Sequence, residues 1–112
     1  MIKRIIMKSI NLPRLLKEIK EKFKNESAII EIKVYGSRVN GNGTAESDLD
    51  MCFILKNRSK KMMEKIDNIL YERGLQYDII ISPVYFFEKE IKEKIYEYSP
   101  FYNTAVKAGI SL

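Results

Sequence analysis

Two aspartates spaced i, i+2, Asp48 and Asp50, lead into the apolar run Leu49 to Leu55. On a strand, residues two apart share a face, so both carboxylates would project together. Two such charges near a core repel each other and call for a cation to offset the cost. Upstream, a second apolar run, Ile29 to Tyr35, breaks sharply at Gly36-Ser37. At a strand-to-helix turn that dipeptide can aim backbone N–H groups and the Ser37 hydroxyl at phosphate oxygens, aided by the positive end of the helix dipole. A phosphate cradle beside a cation-demanding acid pair points to phosphoryl or nucleotidyl transfer. A third acid, Asp78, stands in the apolar stretch Tyr77-Asp78-Ile79-Ile80-Ile81. If that stretch is a strand adjoining the second run, Asp78 completes a three-carboxylate cluster. Mg²⁺ on Asp48, Asp50 and Asp78 would then hold a nucleotide triphosphate whose tail lies on the Gly36-Ser37 turn. Asp78 would also help deprotonate an attacking hydroxyl, and a basic side chain such as Arg38 would stabilise departing pyrophosphate. Taken singly, each feature has a bland counterpart: an ordinary turn, a strand-end acid, an edge-strand aspartate. Together, each explains a cost in the others.

The 112 residues suffice for one small domain, read here as spanning 1–112. A hydrophobic fraction of 46% and a charged fraction of 31% are those of a globular protein. The chain holds no histidine, which excludes His-based zinc sites, His general bases and Ser-His-Asp triads. Any catalysis must therefore run on carboxylates and a metal. The single cysteine, Cys52, forbids an internal disulfide, reads as a small core hydrophobe and suits a reducing cytoplasm. The net charge of +5 is spread along helical segments rather than massed in an arm, which speaks against a nucleic acid as direct ligand. No stretch reaches membrane-spanning length, so no membrane role is expected.

Among the elements that would position these residues, Pro13 suits the first turn of a helix over about 12–25, with Leu15, Leu16, Ile19 and Phe23 at helical spacing. Ala28 to Tyr35 reads as the first core strand, followed by a short helix from Ser37 that fades into Gly41-Asn42-Gly43. Leu49 to Leu55 is the second strand. Ser59 is a plausible N-cap for a long helix, with Met62, Met63, Ile66, Ile69 and Leu70 inward, ending at Arg73 and closed by Gly74. The third strand is expected over Tyr77–Ile81, stopping at Ser82-Pro83. A shorter helix carries Phe86, Phe87, Ile91 and Ile95, and Ser99-Pro100 starts a last helix or turn carrying Phe101, Tyr102, Val106 and Ile110, with Gly109 as its cap. This order implies a small α/β or α+β domain, a mixed sheet of three to five strands with helices on one or both faces.

Gly36-Ser37-Arg38-Val39-Asn40-Gly41, then Ser47-Asp48-Leu49-Asp50, then Asp78 in a following apolar segment, resembles the minimal nucleotidyltransferases of the polymerase-β superfamily. The C-terminal Phe101-Tyr102-Asn103 and Val106 to Ile110 look like the end of that family's chains, so the likeness covers most of residues 12–112. The resemblance implies a nucleotidyltransferase fold using Mg²⁺ (two ions) and ATP as substrate. It places Gly36, Ser37, Arg38 and Ser47 on the nucleotide, Asp48 and Asp50 on the metals, and Asp78 on metal and nucleophile. Many members are antitoxins paired with a helical HEPN ribonuclease toxin, silenced by transfer of AMP to one of its tyrosines. One departure stands out: Val39-Asn40-Gly41 replaces the family's Ala-Arg-Gly, removing a basic residue that Arg38 could replace. The competing reading is an antitoxin of weak or no activity that neutralises its partner by binding alone.

Overall fold

The computed structural model describes residues 11–36, 48–93 and 98–112. Helix α1, Leu12–Phe23, is capped by Asn11, whose side chain accepts from the Arg14 amide, and carries Pro13 in its first turn. Its stripe of Leu15, Ile19 and Phe23 is buried. Strand β1, Ile29–Tyr35, and strand β2, Leu49–Leu55, follow and pair antiparallel. Helix α2, Lys60–Tyr77, capped by Ser59, returns the chain to strand β3, Ile81–Phe87, which pairs parallel with β2. The short helix α3, Glu88–Ile91, follows β3 directly. Ser99 caps the short helix α4, Pro100–Tyr102, which runs on into a π-helical turn, Asn103–Lys107. Strand β4, Ile110–Ser111, pairs antiparallel with β1.

The sheet order is β3-β2-β1-β4, with β2 inside and covered on both faces. That explains why its sequence is a continuous apolar run rather than an alternating one. On one face Leu49, Met51, Phe53 and Leu55 pack with the α1 stripe and with Ile66 and Leu70 of α2. The rings of Phe23 and Phe53 meet edge to face at 5.5 Å. On the opposite face Cys52 and Ile54 pack with Phe86, Ala105 and Val106. Full burial of each large apolar side chain contributes about 1.5–3 kcal/mol, so β2 supplies much of the stability.

The mixed sheet with flanking helices is the architecture expected. Three boundaries differ, each for a physical reason. Helix α2 does not end at Gly74 but continues one turn to Tyr77, because Gly74 is buried where a Cβ would meet the Ile79 carbonyl at 2.5 Å. The glycine is there for close approach rather than termination. Strand β3 consequently begins at Ile81, not Tyr77, and runs through Pro83. Proline is tolerated because, among the described residues, β3 is an edge strand with no neighbour beyond it to receive an N–H. Phe86 and Phe87 are thus the end of a strand rather than the start of a helix. Lastly, the chain after the π turn does not stay helical. Gly109, whose added Cβ would lie 2.3 Å from the Ala105 carbonyl, lets it fold back beside β1. There Ile110–Ser111 covers an otherwise open strand edge. The short helix expected after Ser37 lies outside the described residues.

Candidate active site

Both acids of the Asp-Leu-Asp segment stand at one end of the sheet, where β1 stops and β2 and β3 start. Leu49 between them is fully buried in the α1–α2 core, so alternation forces Asp48 and Asp50 to the opposite face, shared with Cys52 and Ile54. Asp50 is half-buried and Asp48 exposed. Asp50 sits in a row across three strands, opposite Tyr35 of β1 and Ser82 of β3. Ser82 Oγ donates to Asp48 Oδ2 at 3.1 Å. Ile80, whose carbonyl accepts from the Leu49 amide, is largely exposed one pleat further out.

Gly36 closes β1 with φ of +89°, a conformation that side-chain-bearing residues avoid. A second constraint acts on the same residue: an added Cβ would lie 2.3 Å from Asp50 Oδ2. The bend that begins the Gly-Ser segment is therefore packed against the carboxylate itself. This brings two of the features singled out in the sequence, the glycine bend and the acid pair, into direct contact. Ser37, Arg38, Asn40 and Ser47 lie outside the described residues.

Burial, and then the charge of Asp48, raise the Asp50 carboxyl above the usual aspartate range. Burial, with the nearby Asp50 charge, pushes the Tyr35 phenol up to about 12, so it stays protonated at neutral pH. Cys52 is likewise pushed up to about 12 by burial, which makes it an inert core thiol, as its place in an apolar run suggested. Among the described residues no lysine or arginine forms an ion pair with either acid. Two adjacent carboxylates with their oxygens on one face form a donor set suited to a hard divalent cation.

The third expected member does not join them. Asp78 is not on a strand: it is the left-handed C-cap of α2, with φ of +55°, its amide donating to the Gly74 carbonyl. It stands exposed at the same end of the sheet, two residues before the one whose carbonyl meets Leu49. Among the described residues no group of three acids, cysteines or histidines is placed to hold a metal. The expected strand over Tyr77–Ile81 fails because α2 runs to Tyr77 and turns at Asp78, so β3 starts only at Ile81 and the place opposite Asp50 goes to Ser82 instead. Sequence reading passed over Ser82 because Ser-Pro reads as a strand stop; its signal was the period of two linking Ser82, Val84 and Phe86.

Behind the acids an aromatic cluster fills the floor of this face. Phe101 lies 6.1 Å from Tyr35 and 5.9 Å from Phe86, whose ring meets Tyr102 at 5.7 Å. Lys33, on the same face of β1, donates to the Val106 carbonyl at 2.6 Å and ties the π turn to the sheet. On the other face, at the α1–α2 junction, Glu18 accepts from Tyr77 at 2.7 Å and is paired with Arg14 and Arg73. Among the described residues no helix is long and apolar enough to cross a membrane.

A mixed sheet flanked by helices, with an Asp-x-Asp pair abutting a glycine bend at the strand ends, defines a nucleotidyltransferase domain. The family model of that description matches residues 12–102, from α1 through α4, and the chain belongs to this family. It is also similar to a protein of Methanocaldococcus jannaschii that bears the name "Putative protein adenylyltransferase". The two are 34% identical over 84 residues, covering 70% of this chain and 84% of that relative.

Proposed function

We propose that this chain is a Mg²⁺-dependent protein adenylyltransferase, moving AMP from ATP to a hydroxyl of a partner protein. The observation that carries this reading is the contact of Gly36 with Asp50, which joins the nucleotide-side bend to the metal-side acids. Asp48 and Asp50 would hold Mg²⁺ by their carboxylates, and the ion would supply charge neutralisation for the triphosphate and the departing pyrophosphate. The residues Gly36, Ser37, Arg38 and Ser47 bind the nucleotide. The acceptor hydroxyl loses its proton to solvent, its oxygen forms a bond to the α-phosphorus, and the bond to pyrophosphate breaks. The side chains of the chain itself position the α-phosphate and the attacking oxygen, which is where most of the acceleration of such a transfer arises.

The acceptor class follows the name of the Methanocaldococcus jannaschii relative, a protein adenylyltransferase. Within that class, the resemblance to minimal nucleotidyltransferases favours a tyrosine of a HEPN ribonuclease toxin, with this chain as the cytoplasmic antitoxin. The experiment is transfer of label from [α-³²P]ATP to the purified partner. Label is expected on the partner with wild-type protein plus Mg²⁺, and none with Asp50→Asn or with EDTA. Neutralisation of the partner by Asp50→Asn without any label would instead support an antitoxin that acts by contact alone.

A further inference from the structure

The acid pair is held from two sides. Gly36 confines Asp50 from β1. From β3, Ser82 lies in parallel register with Asp50, shares its face, and donates its hydroxyl to Asp48 Oδ2 at 3.1 Å. A hydroxyl on a carboxylate is a charge-assisted hydrogen bond, stronger than a neutral one. Its effect here is directional. Asp48 is exposed and precedes the first residue of β2, so the strand's own ladder does not fix its rotamer. With Oδ2 accepting from Ser82, the carboxylate plane is set by a residue anchored in the sheet, and Oδ1 keeps both of its lone pairs for a ligand among the described residues.

We propose that Ser82 is a positioning residue for the cation site, orienting Asp48 by its hydroxyl and acting on the reaction only through that carboxylate. This rests on the assignment of Asp48 and Asp50 as the Mg²⁺ ligands. Ser82 occupies the β3 position opposite Asp50, on the strand where the sequence pattern expected a third acid. The site is therefore completed by a neutral donor rather than by another negative charge. Hydrogen-bond partners of metal-ligating carboxylates contribute on the order of tenfold or more to metal affinity. Ser82 sits on the exposed edge strand beside Pro83, so replacing it removes little buried surface.

The test is calorimetric titration of Mg²⁺ into the full chain saturated with a non-hydrolysable ATP analogue, for wild type, Ser82→Ala, Ser82→Thr and Asp48→Asn. Ser82→Ala is expected to weaken Mg²⁺ binding about tenfold with an unchanged Tm, and Ser82→Thr, which keeps the hydroxyl, to restore it. Added to Asp48→Asn, Ser82→Ala is expected to have no further effect. If Asp48→Asn loses Mg²⁺ while Ser82→Ala binds like wild type, the positioning role is overturned and the ligand assignment stands. If Asp48→Asn itself binds Mg²⁺ like wild type, the ligand assignment fails and the positioning role with it. A Ser82→Thr variant no better than Ser82→Ala would also overturn it.

Discussion

Gly36 and Asp50 exclude any side chain between them: a Cβ on Gly36 would come within 2.3 Å of Asp50 Oδ2. The residue that ends β1 and the acid that starts β2 thus determine each other's position. The Gly-Ser bend and the Asp-x-Asp pair are one structural unit, held at the end of the sheet by the Tyr35–Asp50 pairing.

Replacing Gly36 with alanine tests that unit. The left-handed backbone alone costs a Cβ-bearing residue roughly 1–2 kcal/mol. The clash then displaces the Asp50 carboxylate, since the Gly36 backbone is fixed by the adjoining strand. A misplacement near 1 Å at a transfer site costs about a hundredfold in rate. Gly36→Ala is therefore expected to lower Tm moderately in a thermal melt and to lose label transfer far more severely. Wild-type transfer by this variant would show that the bend is only structural.

Asp50→Asn should separate stability from activity in opposite directions. Burial and the neighbouring Asp48 raise the folded-state carboxyl above its unfolded value. Between those two values the folded state binds more protons than the unfolded state, so stability falls as pH rises through that window and stays lower above it. The amide carries no charge to desolvate and none to oppose Asp48. Asp50→Asn is thus expected to melt at a higher temperature than wild type at pH 7, with the difference vanishing below the carboxylate range, while label transfer is lost. A lower Tm at pH 7 would mean that the charge of Asp50 is compensated in the metal-free protein.

How much of the fold and site is legible in the residues differs from place to place. The Leu49–Leu55 strand and the α1 stripe were legible because apolar pattern and length agree there. Gly36 was legible because a glycine after a strand marks a bend, although its contact with Asp50 was not. Asp78 was misread because Tyr77 to Ile81 is locally β-prone, whereas the packing of Gly74 on the Ile79 carbonyl lets α2 overrun it. The approach spans only five residues, but it depends on the left-handed turn at Asp78, which apolar periodicity does not report. Ser82 was hidden by Pro83, which ends strands in general but not on an edge.

Asp78 provides a direct check on the site's membership. As a left-handed cap at a helix C-terminus it carries a negative charge at the negative end of the dipole, an unfavourable placement worth about 0.3–1 kcal/mol. Asparagine tolerates the left-handed region and removes the charge. Asp78→Asn is expected to gain slightly in Tm and to keep Mg²⁺ affinity and label transfer, whereas Asp78→Val should lose roughly 1–2 kcal/mol to backbone strain. Loss of Mg²⁺ binding in a folded Asp78→Asn protein would return this residue to the catalytic set.

Gly74→Ala sets two known effects against each other. In the interior of a helix, alanine is favoured over glycine by about 1 kcal/mol, so an exposed site would gain stability. Here the glycine is buried, and the added methyl would meet a backbone carbonyl, that of Ile79, at 2.5 Å. The obstacle is main chain fixed by the adjacent Ile80–Leu49 hydrogen bond at 2.9 Å, not a flexible side chain that can turn away. Relieving it requires α2 and the start of β3 to separate, at a cost of the order of 1–3 kcal/mol for overpacking, which exceeds the propensity gain. Gly74→Ala is therefore expected to unfold at lower denaturant concentration than wild type. Because β3 carries Ser82 towards Asp48, it should also weaken Mg²⁺ binding; a variant more stable than wild type would show that the helix–strand junction yields freely.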